Sequence, residues 1–206
     1  AEREKRAQKM LRAMFPNGRE LPDMKKRFPA PAAPGGGDGS STASDTIKGI
    51  TVLFDFSDEP ASVSKEEIEN LMNQEGYKGG GNNGSVRDYY YEVSNGQITY
   101  LNIVSDYVRA SITKASIDND SVSFLVPEDR ERVKALLREV LEKAVQAGSV
   151  DVSQLTVDDQ GLVRGVNFFY AGSPSAGWYY GLWPHQGNFE QPIDIGGGKK
   201  VKRYQM

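Results

Sequence analysis

The stretch from Ile47 to Phe56, IKGITVLFDF, is nearly continuous in β-branched and aromatic residues, which is how a strand covered on both faces reads. Such a strand needs helices on its two sides, and the downstream sequence supplies them. Ser64 and Glu67 have the spacing of a capping box, and Ile68, Leu71 and Met72 follow at helical spacing until Gly76. The glycine-rich run from Lys78 to Gly84 reads as a surface loop, after which Ser85 caps a second, short helix closed by Asn95-Gly96. From Gln97 to Val104, Ile98, Tyr100, Asn102 and Val104 alternate with Thr99, Leu101 and Ile103, predicting another strand. The longest helix opens with Pro127 at its first position, followed by Glu128 and Asp129 where the helix dipole favours acids. Val133, Leu136, Leu137, Val140, Leu141, Ala144 and Val145 mark its apolar face, and Gly148 supplies its C-terminal cap. Gly165 to Ala171 reads as a further buried strand. This alternation predicts the α/β or α+β class, a three-layer mixed sheet with flanking helices over residues 47–206.

Upstream, residues 1–28 begin with a run rich in Ala, Glu, Lys and Arg that favours a charged helix, ended by Phe15-Pro16-Asn17-Gly18. Residues 29–46 are rich in Pro, Gly and Ser, the composition of a linker. A tail and a pro-segment packed on the domain both fit the first 45 residues. The chain has 25 Lys plus Arg against 28 Asp plus Glu, a formal net charge of -3, so no summed field draws in nucleic acid. No run approaches the roughly 18 consecutive apolar residues of a membrane span, and the polar N-terminus is not a signal peptide. The absence of cysteine excludes disulfides, thiolate metal sites and Cys nucleophiles. His185 is the only imidazole, whereas a catalytic zinc draws its three protein ligands mostly from histidine.

Three segments together resemble the immune-inhibitor-A-like metallopeptidases (peptidase M6-like), secreted bacterial zinc enzymes of the zincin type. They are ITVLFDFSDEPAS from Ile50, GNNGSVRDYYYEVSNGQITY from Gly81, and VNFFYAG from Val166 with GLWPHQG from Gly181. The resemblance covers residues 47–206 and implies a zincin-like N-terminal subdomain, export, peptide or protein substrates, and zinc in the complete enzyme. In that family the next strand leads into a helix carrying H-E-x-x-H, which supplies zinc ligands and the group that handles water. The sequence reaches that point with VKRYQM and does not contain the motif, so the chain alone is expected to be inactive and to await the remainder of the catalytic domain. A pro-segment without cysteine would need another metal-reaching group, for which Asp23 is a candidate.

Within the chain, the resemblance puts Trp178, Tyr180, Trp183 and His185 near the edge strand that receives extended substrate, as a substrate rim. The same aromatics also read as packing residues, with His185 structural or cleft-lining. Asp158 and Asp159 are oxygen donors suited to calcium, in a segment that equally reads as a plain turn, and Asp118-Asn119-Asp120 reads as a turn. Ser173-Pro174-Ser175-Ala176-Gly177 approximates the elbow of serine hydrolases, with His185 and Asp194 downstream, although the first glycine is replaced and the order Ser, His, Asp is not that of those enzymes. A further alternative is a non-catalytic module that binds peptide or glycan on its aromatic rim.

Overall fold

A computed structural model of the chain describes residues 45–206. The expected helical segment, Asp23 and nearly all of the linker lie outside the described residues. The order of elements is β1 (Asp45–Asp55), α1 (Lys65–Asn73), α2 (Val86–Val93), β2 (Ile98–Arg109), α3 (Lys114–Ile117), α4 (Pro127–Gln146), β3 (Val166–Tyr170), β4 (Gln186–Gly196) and β5 (Lys199–Gln205). They form a mixed α/β fold around one five-stranded sheet in the order β2-β1-β3-β5-β4. β1 runs parallel to both β2 and β3, β3 parallel to β5, and β4 alone is antiparallel, at the edge.

Alternation along β1 divides the core in two. Ile50, Val52 and Phe54 point to one face, where they join Val133, Leu137, Val140 and Leu141 of α4 in the main cluster. Leu53 points to the other and meets Met72 of α1 and Val104 of β2. Each such fully buried side chain contributes about 1.5–3 kcal/mol. β1 is therefore the covered strand that its composition predicts. Next to Leu53 sits a polar row: Asn167 donates to Thr51 Oγ1 (3.1 Å) and Asn102 Oδ1 (2.8 Å), and Gln205 donates to Asn167 Oδ1 (2.6 Å).

The helix ends follow their sequence signals in full at α2 and α4, while at α1 only the serine half of the expected capping box forms. Ser85 and Asp88 form a reciprocal capping box at α2, with bonds of 2.8 and 3.1 Å, while at α1 the Ser64 hydroxyl accepts from the Glu67 amide at 3.1 Å. At α4, Gly148 has φ of 67°, its amide bonds to Val145, and that of Ser149 bonds to Ala144, the paired closure that a left-handed residue permits. β2 runs five residues beyond Val104, because a register shift after Thr51 lets the Ser105 hydroxyl accept the Leu53 amide (2.9 Å) in place of a ladder carbonyl.

Candidate functional site: a clamped aromatic loop beside an apolar cleft

β1, β2 and β3 all end at one margin of the sheet. The carboxyl ends of parallel strands form the crevice where α/β proteins commonly bind ligands. Here the margin holds a cleft of about 440 Å3 lined by Val63, Ile68, Tyr107, Phe169, Pro174 and Met206. One wall belongs to the loop between β3 and β4, which carries most of the residues singled out above.

That loop is tied down from below by a buried ion pair. Lys114 of α3 lies 2.9 Å from Asp118, with side chains 7% and 0% exposed. The Lys114 ammonium also donates to the Ser173 carbonyl and to Ser175 Oγ, both at 2.8 Å, so its three protons all have acceptors. Asp118 accepts from the Ser175 amide through Oδ2 (2.8 Å) and from the Leu182 amide through Oδ1 (3.0 Å). Burial alone would raise the Asp118 carboxyl, but the bonds from Lys114, Leu182 and Ser175 outweigh it and hold it below the ordinary carboxylate value. Tyr170 adds a bond to the Leu182 carbonyl (2.8 Å), and burial with the nearby Asp118 charge pushes its hydroxyl pKa up. α3 is positioned from the strand side in turn: Asp58, after β1, accepts the amides of Lys114 (2.7 Å) and Ala115 (3.0 Å), the cap that Thr113 does not provide.

Above the clamp runs a ladder of rings. Trp178 tilts against Trp183 at 4.9 Å, Trp183 stacks on His185 at 5.3 Å, and His185 meets Tyr204 edge-on at 5.6 Å. Phe124, beside α4, closes on His185 at 4.5 Å. Trp183 and His185 are half-buried, whereas Trp178 is 61% and Tyr180 37% exposed. The four rim residues thus divide into a packed pair and an open pair. Tyr179, between the two open residues, holds φ of 71°, a left-handed conformation seldom adopted by an aromatic residue. The Phe124 amide donates to its carbonyl (2.9 Å).

His185 is engaged at both ring nitrogens, Nδ1 with the Trp183 carbonyl (2.8 Å) and Nε2 with the Tyr204 hydroxyl (3.3 Å). Burial lowers its pKa, so the neutral ring is favoured. Burial, with a contribution from Glu131, pushes Tyr204 up to about 12. No group of three His, Asp or Glu side chains suited to a metal occurs among the described residues. A zinc ion therefore does not fit this donor set. Asp158 spends Oδ1 on the amides of Gln160 (3.0 Å) and Leu162 (2.9 Å), which shapes its turn, and Asp159 beside it is exposed.

Ser175, His185 and Asp194, the residues a serine hydrolase would need to bring together, have different partners. Ser175 bonds with Lys114 and Asp118, His185 with Trp183 and Tyr204, and Asp194 with the Gly196 amide. The Lys114 side chain is engaged by Asp118 and the Ser173 carbonyl as well as by Ser175. Sequence reasoning missed Lys114 and missed what Asp118 does. The available signal was their spacing of four, which sets the two on one helical face.

No family model matches the sequence, and no curated protein matches it. No helix among the described residues is long and apolar enough to cross a membrane.

Proposed function

We infer that residues 47–206 form the sheet-bearing front part of a secreted zinc metallopeptidase of the immune-inhibitor-A-like type, with a zincin-like subdomain. Peptide-bond hydrolysis belongs to the complete enzyme, and zinc is assigned to none of the residues described. The observation that carries this reading is the sheet itself. Parallel strands are bordered by a single antiparallel edge strand, β4, which follows directly on the Trp183-Pro184-His185 loop. The outer edge of β4 offers backbone groups to an extended peptide, and the aromatic loop stands at its start. Supplying the sheet and the substrate rim is the role of this part.

The test is the intact mass and C-terminal peptide map of the naturally produced protein. A product that continues past Met206 into an H-E-x-x-H helix supports the peptidase reading, and a natural end at Met206 overturns it.

A second reading is favoured by the clamp beneath the loop. Fixing an exposed aromatic tip by buried polar bonds is how a preorganised recognition surface is built, and it needs no catalytic group. In this reading the domain is a non-catalytic binding module.

A further inference from the structure

From Gly165 to Phe189 the sequence contains no Asp, Glu, Lys or Arg, in a chain that is 26% charged. The aromatic loop lies within this uncharged stretch. Its buried supports are ionic, yet its exposed tip presents an indole, a phenol and the short polar residues Ser173 and Ser175. The one charged group bonded at the tip is the exposed Asp120, whose carboxylate accepts the Gly177 amide at 3.3 Å and repels anions while offering an acceptor to hydroxyls. A phosphate, a carboxylate-rich peptide or a nucleic acid would need a cation at the tip, and the loop offers none. An apolar side chain would need a closed pocket, whereas Trp178 and Tyr180 stand open to solvent.

The ligand chemistry that matches is neutral and amphipathic, with a flat apolar face and a rim of hydroxyls. The strained Tyr179 keeps Trp178 and Tyr180 presented, and strain of this kind persists only where surrounding bonds over-determine it. Those bonds are the ones made by Lys114, Asp118 and Phe124.

We propose that the loop from Ser173 to Trp183 is a binding site for a neutral carbohydrate, with a sugar ring stacked on Trp178 and Tyr180 beside it. The proposal rests on the second reading, that the rim is a binding surface, and it holds whether or not the complete protein is a peptidase. Trp178 is the anchor, since a rigid exposed aromatic concentrates binding energy at little entropic cost. Trp183 and His185 support it from the packed side.

The test follows backbone amide shifts by NMR while the 206-residue chain is titrated with cellohexaose, with the hexamer of N-acetylglucosamine, and with the neutral peptide Gly-Phe-Pro-Phe-Gly. Saturable shifts confined to residues 173–183 are expected with at least one sugar, with affinity unchanged by added salt. Trp178→Ala should weaken binding at least about tenfold, Trp178→Phe should retain most of it, and Tyr91→Ala on α2 should leave it unaltered. Saturation by the peptide and by neither sugar overturns the carbohydrate assignment while leaving the rim as a binding surface. No response of the loop to any of the three overturns both, and full binding by Trp178→Ala overturns the site.

Discussion

Lys114, the first residue of α3, and Asp118, which caps the end of that helix, face each other across 2.9 Å in the interior, and between them they hold the loop that follows β3 at Ser173, Ser175 and Leu182. A buried pair adds little stability compared with apolar packing, but removing one partner strands the other.

Lys114→Met should therefore destabilise the domain by about 3–5 kcal/mol, because it leaves the Asp118 carboxylate buried without its cation. The double variant Lys114→Met/Asp118→Asn should recover part of the loss. Urea unfolding of the three proteins measures both, and an unchanged midpoint in Lys114→Met would show that the clamp is dispensable.

His185 gives stability a dependence on mildly acidic pH. Its folded pKa lies below the 6.5 of the free side chain, so the unfolded chain takes up the proton first as pH falls. The stabilisation is fully present above about 6.5 and is lost as pH drops toward the folded value. Melting temperature should fall as pH drops below about 6.5 in the parent protein, and His185→Phe should flatten that dependence. As His185 is the only histidine, its ring signal can be titrated directly without an assignment problem.

The close approach of β1 to β3 forbids a side chain at Gly49. A Cβ there would lie 2.7 Å from the Gly165 carbonyl oxygen and 2.7 Å from the Tyr100 hydroxyl. Gly49→Ala should cost about 1–3 kcal/mol by overpacking. Tyr100→Phe should not rescue it, because the Gly165 carbonyl belongs to the backbone and cannot swing away. Thermal melts of the single and double variants decide this.

Ser85→Ala removes the hydroxyl that accepts the Asp88 amide at the start of α2, and should cost about 0.5–2 kcal/mol. Loss of helical circular dichroism at a lower urea concentration is the expected readout. The Asp88 carboxyl, held below its usual range chiefly by the Ser85 amide, should shift upward in acid titration if that cap loosens.

The fold was legible wherever local pattern and tertiary environment agree. β1 and β3 are apolar because they are interior strands, α4 shows its buried face at helical spacing, and Ser85 and Gly148 mark the helix ends where they fall. β4 was hardest to see. Its sequence, QGNFEQPIDIG, contains Gly187 and Pro192, and its pairing with β5 shifts register between Asn188 and Ile193, so alternation survives only in its last residues, where buried Ile193 and Ile195 flank exposed Asp194. Of the site, the aromatics were conspicuous, but the division into packed Trp183 and His185 against open Trp178 and Tyr180 depends on Phe124 and Tyr204, remote in sequence. Asp118 was hidden most completely. A turn of Asp-Asn-Asp looks solvated until Ser175 and Leu182, from a loop some sixty residues away, close over it.

Asp58 has a bearing on the order in which the molecule assembles. A helix of four residues cannot nucleate by itself, and the amides that begin α3 are protected by a carboxylate more than fifty residues upstream. The amide protons of Lys114 and Ala115 should therefore exchange with solvent only when the turn after β1 opens. That opening also releases the lysine beneath the aromatic loop. Three segments that are far apart along the chain would then behave as one cooperative opening unit, with a single opening free energy shared among them.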